Sequence, residues 1–304
     1  HRNLALAYYN VKKLPQRAYE EMEKAFALDE TDARVYLELD QLKKRLNVAV
    51  KERWSDMEKH FDLVESRDDL YLEYVTLLNT LGEPEKALGL IKARKFHQWE
   101  GGEGKVAAQY LTALYQLAKA AVEKEDYAEA KELLLRAVGE YPHNLGEGKL
   151  ESGQENNLYY LLGLVQEKLG EAKDAFESLT RACCGESEPV GMMYYNDQPP
   201  EMIYYQGLAY RMLGEEEQAV RRFQKLVDYG REHIGDEIKI DYFAVSLPDL
   251  LIFEENLNER NRKHCLFMMS LGLRGLGQTD EAKACAEELL SMDNAHQGIR
   301  VHDL

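Results

Sequence analysis

The stretch KFHQWEGGEG (95–104) brings His97, Trp99, Glu100 and Glu103 together beside three glycines, and NLGEGKLESGQENN (144–157) repeats the theme with Asn144 and Glu147. Two later stretches, GESEPVGMMYYNDQPP (185–200) and REHIGDEIKIDYFAVSLPDLLIFEENLNE (231–259), add Tyr194, Tyr195, Asn196 and Asp197, then Asp241, Tyr242, Phe243 and Asp249. Aromatic faces beside carboxylates, amides and glycine backbone suit a polar, ring-shaped ligand such as a sugar. C–H groups stack on the ring, and the acids and amides meet the hydroxyls. The same residues suit a peptide, and tyrosines in a long loop can equally pin it to a scaffold. Acid pairs such as Glu100/Glu103 and Glu147/Glu151 have the chemistry for general acid–base work on a glycosidic bond. A chain with 55 acidic residues contains such pairs anyway, so binding is the expectation here and no catalytic residue is assigned. GGEGK is not a phosphate loop: Val106 follows Lys105 where a Ser or Thr is needed.

The bulk properties narrow the classes further. A net charge of −17 over 304 residues opposes a nucleic-acid partner. No apolar run reaches the roughly 18 residues that a membrane span requires. Cys183, Cys184, Cys265 and Cys285 show no CxxC spacing, and are read as reduced thiols of a cytoplasmic protein. The eight histidines show no metal-binding spacing, so neither a metal nor a cofactor is expected. The chain opens on HRNLALAYYN, already in a helical pattern, and is expected to be part of a longer polypeptide.

The elements that must carry these loops repeat along the chain. DYAEAKELLLRAVGEYP (126–142), EAKDAFESLTRACCGES (171–187), EEEQAVRRFQKLVDYG (215–230) and QTDEAKACAEELLSMD (278–293) share small or aliphatic residues seven apart: Ala130/Ala137, Ala175/Ala182, Ala219/Leu226 and Ala282/Leu289. Upstream lie glycine pairs with the same spacing, Gly163/Gly170 and Gly207/Gly214. The first glycine and the first alanine let two helices cross closely. The second glycine supplies the left-handed residue that ends the first helix. This pattern resembles the tetratricopeptide repeat (TPR), a helix–turn–helix of about 34 residues. The resemblance implies an all-α, right-handed α-solenoid of TPR-like helical hairpins, with repeats at about 1–33, 34–66, 70–94, 106–142, 157–184, 201–230 and 262–293 of a single domain spanning 1–304. Residues 34–66 are helical by period but degenerate, and DEIKIDYFAV (236–245) is the segment able to run extended.

Spacing turns the loops into a rim. Ala87, Ala130, Ala175, Ala219 and Ala282 follow one another at steps of 43, 45, 44 and 63, against about 34 for an ordinary unit. The surplus falls between the second helix of one hairpin and the first of the next. Parallel stacking of hairpins therefore puts all four long loops on one edge. First helices line the other candidate surface, the concave face, with Asp69, Asn79, Asn157, Tyr160, Glu167, Glu201, Tyr204 and Arg211. By resemblance to TPR proteins that surface implies a peptide or protein partner.

A narrower resemblance rests on RNLALAYYN, DDLYLEYVTLLNTLG, FHQWEGGEGK, YNDQPPEM, IDYFAVSLPDLL and NRKHCL. Together these are similar to the C-terminal repeat region of a large bacterial family of unknown function, in which a galactose-mutarotase-like β domain precedes the repeats. The resemblance implies a part in carbohydrate metabolism, with the N-terminal domain of the same polypeptide as partner and a saccharide as possible ligand. It transfers no catalytic residue to these positions.

Overall fold

The computed structural model describes residues 1–99, 101–149, 154–191, 197–239 and 252–302, and every regular element among them is helical. Seven hairpins follow one another. The first pairs α1 (Arg2–Leu6), continued by a π-helical turn (Ala7–Val11), with α2 (Pro15–Leu28). The second is α3 (Ala33–Arg45) with α4 (Val50–Lys59), followed by a short α5 (Phe61–Ser66). Then come α6 (Asp68–Thr80) with α7 (Pro84–Ala93), α8 (Lys105–Glu123) with α9 (Tyr127–Val138), and α10 (Asn156–Lys168) with α11 (Ala172–Ala182). The last two are α12 (Pro200–Met212) with α13 (Glu216–His233) and α14 (Leu257–Gly275) with α15 (Thr279–Met292), before a terminal α16 (Gln297–Val301). Prolines at the first position start α2, α7 and α12, where the missing N–H costs nothing. Side-chain caps start α3 (Asp32), α9 (Asp126) and α14 (Asn256).

One backbone device closes every first helix. After α1, α3, α6, α8, α10, α12 and α14 the chain turns through a left-handed residue: Lys13, Asn47, Gly82, Glu125, Gly170, Gly214 and Gly277, with φ between 54° and 82°. Glycine takes that conformation freely, whereas Lys and Glu do so at a cost of about 1 kcal/mol or more. The other glycine of the pattern works by close approach. A Cβ on Gly207 would lie 2.4 Å from the Phe223 ring, so α12 and α13 cross at a distance that only glycine permits.

The 34–66 unit differs from the expected hairpin: it forms three helices, and charge replaces small residues at its centre. Arg53 is fully buried. Its Nε donates to Asp40 Oδ1 (3.0 Å) and its Nη2 to Asp40 Oδ2 (2.6 Å) and Glu73 Oε1 (2.7 Å). Burial works against the charged form of Glu73, yet Lys44 and Arg53 hold its carboxyl down to about 2. Of the segment expected to run extended, 236–239 is irregular and 240–245 lies outside the described residues.

The hairpins wind until the ends of the chain meet. Asn10 donates to the Ile252 carbonyl (2.8 Å) and accepts from the Glu254 amide (3.0 Å), Arg45 donates to the Phe253 carbonyl (2.8 Å), and Phe253 packs edge-on against Tyr9. Past α15, the side chain of Asn294 donates to the Asn47 carbonyl (2.8 Å) and accepts from the Val50 amide (3.1 Å). The superhelix thus closes on itself. The C-terminal α16 lies inside that turn, against the first helices α6, α8, α12 and α14: Gln297 meets Thr80 and Gln109, Val301 meets Lys119, His302 meets Tyr205 and Gly298 meets Phe267. Among the described residues no helix is long and apolar enough to cross a membrane.

Candidate functional site

The loop of 94–104 and the turn after α9 are built as one unit. Pro142 leads into a 3-10 turn (His143–Leu145), and Gly146 follows with φ of 77°. A Cβ there would sit 2.7 Å from the Phe96 carbonyl oxygen, so the two backbones touch. Asn144 fastens the contact. Its side-chain amide donates to the carbonyls of Ile91 (2.8 Å) and Arg94 (2.9 Å), which α7 leaves open at its end. Its own carbonyl accepts from the Phe96 amide (2.8 Å).

Glu147 does the complementary work at the next helix. Gly104, the N-cap of α8, has no side chain to offer. The Glu147 carboxylate fills that role from the neighbouring loop, accepting from the amides of Gly104 and Ala107, both at 2.7 Å. A carboxylate at a helix N-terminus is favoured by the open N–H groups and by the helix dipole.

Between these clasps lies a cleft of about 410 Å³, floored by Val106, Leu111, Tyr141 and Leu145 and walled by His97, Trp99, Glu103 and Glu147. The Trp99 indole lies against Gly102, where any Cβ would come within 2.2 Å of it. His97 is largely exposed but anchored: its amide donates to Asp68 Oδ2 (2.9 Å), and its Nδ1 lies 3.2 Å from the same oxygen. Arg94 donates to the other oxygen of Asp68 (2.6 Å) and stacks on Tyr71 with its guanidinium carbon 4.4 Å from the ring centroid. Burial works against the charged form of Asp68, but the His97 amide and Arg94 hold its carboxyl below the usual range.

Of the loop residues singled out by type, His97, Trp99, Glu103 and Glu147 therefore share one cleft, and Asn144 stands just outside it. Both oxygens of Glu147 and both amide hydrogens of Asn144 are engaged within the fold. Asp197 lies half-buried in the stretch before α12, away from this cleft. Glu100, Tyr194, Tyr195, Asp241 and Tyr242 lie outside the described residues, as do Glu151, Asn196, Phe243 and Asp249.

The concave-face candidates are distributed differently. Asn157 and Tyr160 lie half-buried on α10. Tyr204 is only 6% exposed and packs on Tyr205 and Phe223. Glu201 is half-buried in the first turn of α12, where burial pushes its carboxyl up to about 7. Arg211 is exposed and braces the hairpin ends, donating to Glu216 (2.7 Å) and to the Gly275 carbonyl (3.0 Å). Residues that type and spacing did not single out hold the two surfaces together. Asp68 anchors the loop, while Gln297, Lys119 and Tyr205 join α16 to the first helices. The apolar Ile299 and Val301, placed after the last repeat, were the available signal for the latter.

Helical hairpins stacked in one direction, each closed by a left-handed turn, define an α-solenoid of the TPR-like class. Residues 112–144 and 201–229 match one tetratricopeptide-repeat family, and residues 264–296 match a second. The chain therefore carries tetratricopeptide repeats, modules of a kind that bind or scaffold proteins. Similar solved structures include YrrB, described as a TPR protein with an unusual peptide-binding site (17% identity, covering 82% of this chain and 98% of that chain, TM-score 0.28). Others are the P58(IPK) TPR domain (17% identity, 94% and 71%, TM-score 0.31) and BtubC (BKLC) from P. vanneervenii (13% identity, 91% and 87%, TM-score 0.31). At these TM-scores no arrangement of repeats carries over, and the closure of the superhelix rests on its own contacts.

Proposed function

We propose that this chain is a binding and scaffolding module that engages its partner through the loop rim, with the cleft at Trp99 as the point of contact. One observation carries this: the cleft is open to solvent, has an apolar floor, and keeps His97, Trp99 and Glu103 on its wall. The partner that fits the resemblance is a carbohydrate-handling, galactose-mutarotase-like domain of the same polypeptide, with the rim completing its binding cleft. A saccharide reaching the same place would lay its C–H face on the indole. Glu147 accepts from a backbone amide at each of its oxygens, so its place is set by the cap of α8. That weighs against an enzyme built from this pair of loops.

The test is titration calorimetry of this chain with a separately produced galactose-mutarotase-like domain of the family, alone and with monosaccharides present. Leu111→Arg places a cation in the floor of the cleft and should weaken association at least tenfold while helical circular dichroism stays unchanged. Equal affinity of the folded variant and the wild type refutes the proposal. The concave-face reading, a peptide or protein adaptor, draws on a separate observation, the seating of the chain's own C-terminal segment there.

A further inference from the structure

We infer that the concave groove is a receptor for a short helical segment, and that the chain's own residues 294–302 are its resident, detachable ligand. This goes beyond the loop-cleft proposal and does not depend on it. The segment follows the last hairpin and crosses four first helices, the surface that the stacking of hairpins leaves facing inward. Its contacts have the form of a recognition interface. Two apolar anchors, Ile299 and Val301, are 2% and 7% exposed. Around them the contacts are polar and made mostly by side chains. Gln297 and Gln109 pair amide to amide at 3.1 Å, Lys119 Nζ donates to the Val301 carbonyl (2.8 Å), and His302 Nδ1 and the Tyr205 hydroxyl hydrogen-bond at 2.9 Å. Tyr205 is joined in turn to the Tyr115 hydroxyl at 2.6 Å.

The network beneath the segment is not closed. Asn79 donates to Gln109, and Gln116 donates to the Asn79 carbonyl, yet the side-chain oxygens of Asn79 and Gln116 are buried without a partner. Polar, modest contacts of this kind are typical of interfaces that open. The groove would accept in its place a helix offering the same features: an amide at its start, a glycine where Phe267 presses, two β-branched anchors and an imidazole at the C-cap.

Gly298 provides the means of testing this. A Cβ there would lie 2.6 Å from Phe267 Cζ on α14, so Gly298→Leu should expel the segment by that clash while leaving every residue of the hairpins unchanged. A fluorescein-labelled peptide of residues 294–302 is titrated into the full chain by fluorescence anisotropy. A tether holds its own segment at an effective concentration of about 1 mM, so the wild type should resist the free peptide. The Gly298→Leu chain should bind the peptide at least tenfold tighter than the wild type does, and a peptide carrying the same change should bind neither. Equal binding by both chains, or none by a folded Gly298→Leu chain, overturns the inference. Loss of helical circular dichroism in the variant also overturns it, since the segment would then be part of the core. Hydrogen exchange of the wild type gives an independent check. Protection at 299–302 that is lost at least tenfold faster than in α14 supports a detachable segment, and loss only together with α14 refutes it.

Discussion

Glu147→Ala removes two short hydrogen bonds, from the Gly104 and Ala107 amides, both at 2.7 Å. Hydrogen bonds to an ionised acceptor contribute about 1.5–3 kcal/mol where water is excluded. Glu147 is half-buried, so water takes over part of that role. N-cap replacements in helices set a better scale, about 0.5–2 kcal/mol. A local loss of about 1–2 kcal/mol corresponds to amide exchange about 5–30-fold faster, at about 1.4 kcal/mol per factor of ten. For a chain of 304 residues the same loss moves a global melting temperature by only about 1.5–3 °C. Hydrogen exchange is therefore the sensitive assay, read on peptides covering 97–110. The acceleration should be confined to the loop and the first turn of α8, with α10 to α15 unchanged. Glu147→Gln should fall between the wild type and alanine, because one oxygen can still accept. Exchange at 104–108 unaltered in the alanine variant would refute the assignment of Glu147 as the cap of α8. An acceleration spread evenly over the chain would do so as well.

Two further changes test the frame that holds the rim. Arg53→Ala leaves Asp40, itself 3% exposed, without its counter-ion, and should cost about 3–5 kcal/mol in urea unfolding. Arg53→Met with Asp40→Leu should recover most of that, and a single-variant loss below about 1 kcal/mol would mean that the pair is not what organises the second unit. At Glu201 burial raises the folded-state pKa to about 7 from an ordinary 4.5. Above pH 4.5 the unfolded chain ionises this group first, so wild-type stability falls between pH 4.5 and 7. Glu201→Gln should therefore match the wild type at pH 4 and exceed it at pH 8 in thermal melts, and a variant less stable at pH 8 contradicts the sign.

The solenoid was legible in the sequence because its framework uses residues with few substitutes. Gly170, Gly214 and Gly277 sit in left-handed turns, and Gly207 fills a contact with no room for a Cβ. The first units were harder to read for the same physical reason. Lys13 and Asn47 adopt the left-handed turn without being glycine, and around Arg53 a buried charge pair stands in for small residues. The rim was legible as spacing: inserted length shows directly in the steps between alanines. The use of each rim residue was not. Asn144 and Glu147 are the types that bind ligands, and they are equally the types that cap helix ends; only the position of α7 and α8 decides between the two. The C-terminal segment carried no repeat pattern, and its place depends on closure of the whole superhelix, which no local window of sequence contains.

The inserted loops and the occupied groove belong to one mechanical arrangement. Each loop with described contacts clasps another part of the solenoid. Asn144 and Glu147 join the loop after α9 to the ends of α7 and α8, and the Val190 carbonyl takes a hydrogen bond from His264 on α14 at 2.7 Å. Residues 252–254 hold Asn10 and Arg45. Such clasps resist opening of the superhelical turn, and a turn held closed keeps the first helices near enough together for α16 to span four of them. The side chains that a clasp uses are unavailable to a ligand. In the cleft at the first two loops that leaves His97, Trp99 and Glu103 on the wall, with His97 anchored through Asp68 and Trp99 set against Gly102. The rim can therefore recognise a partner without opening the turn, whereas the groove can do so only after residues 294–302 leave. Binding at the two surfaces should differ accordingly: rim association insensitive to Gly298→Leu, and groove association dependent on it.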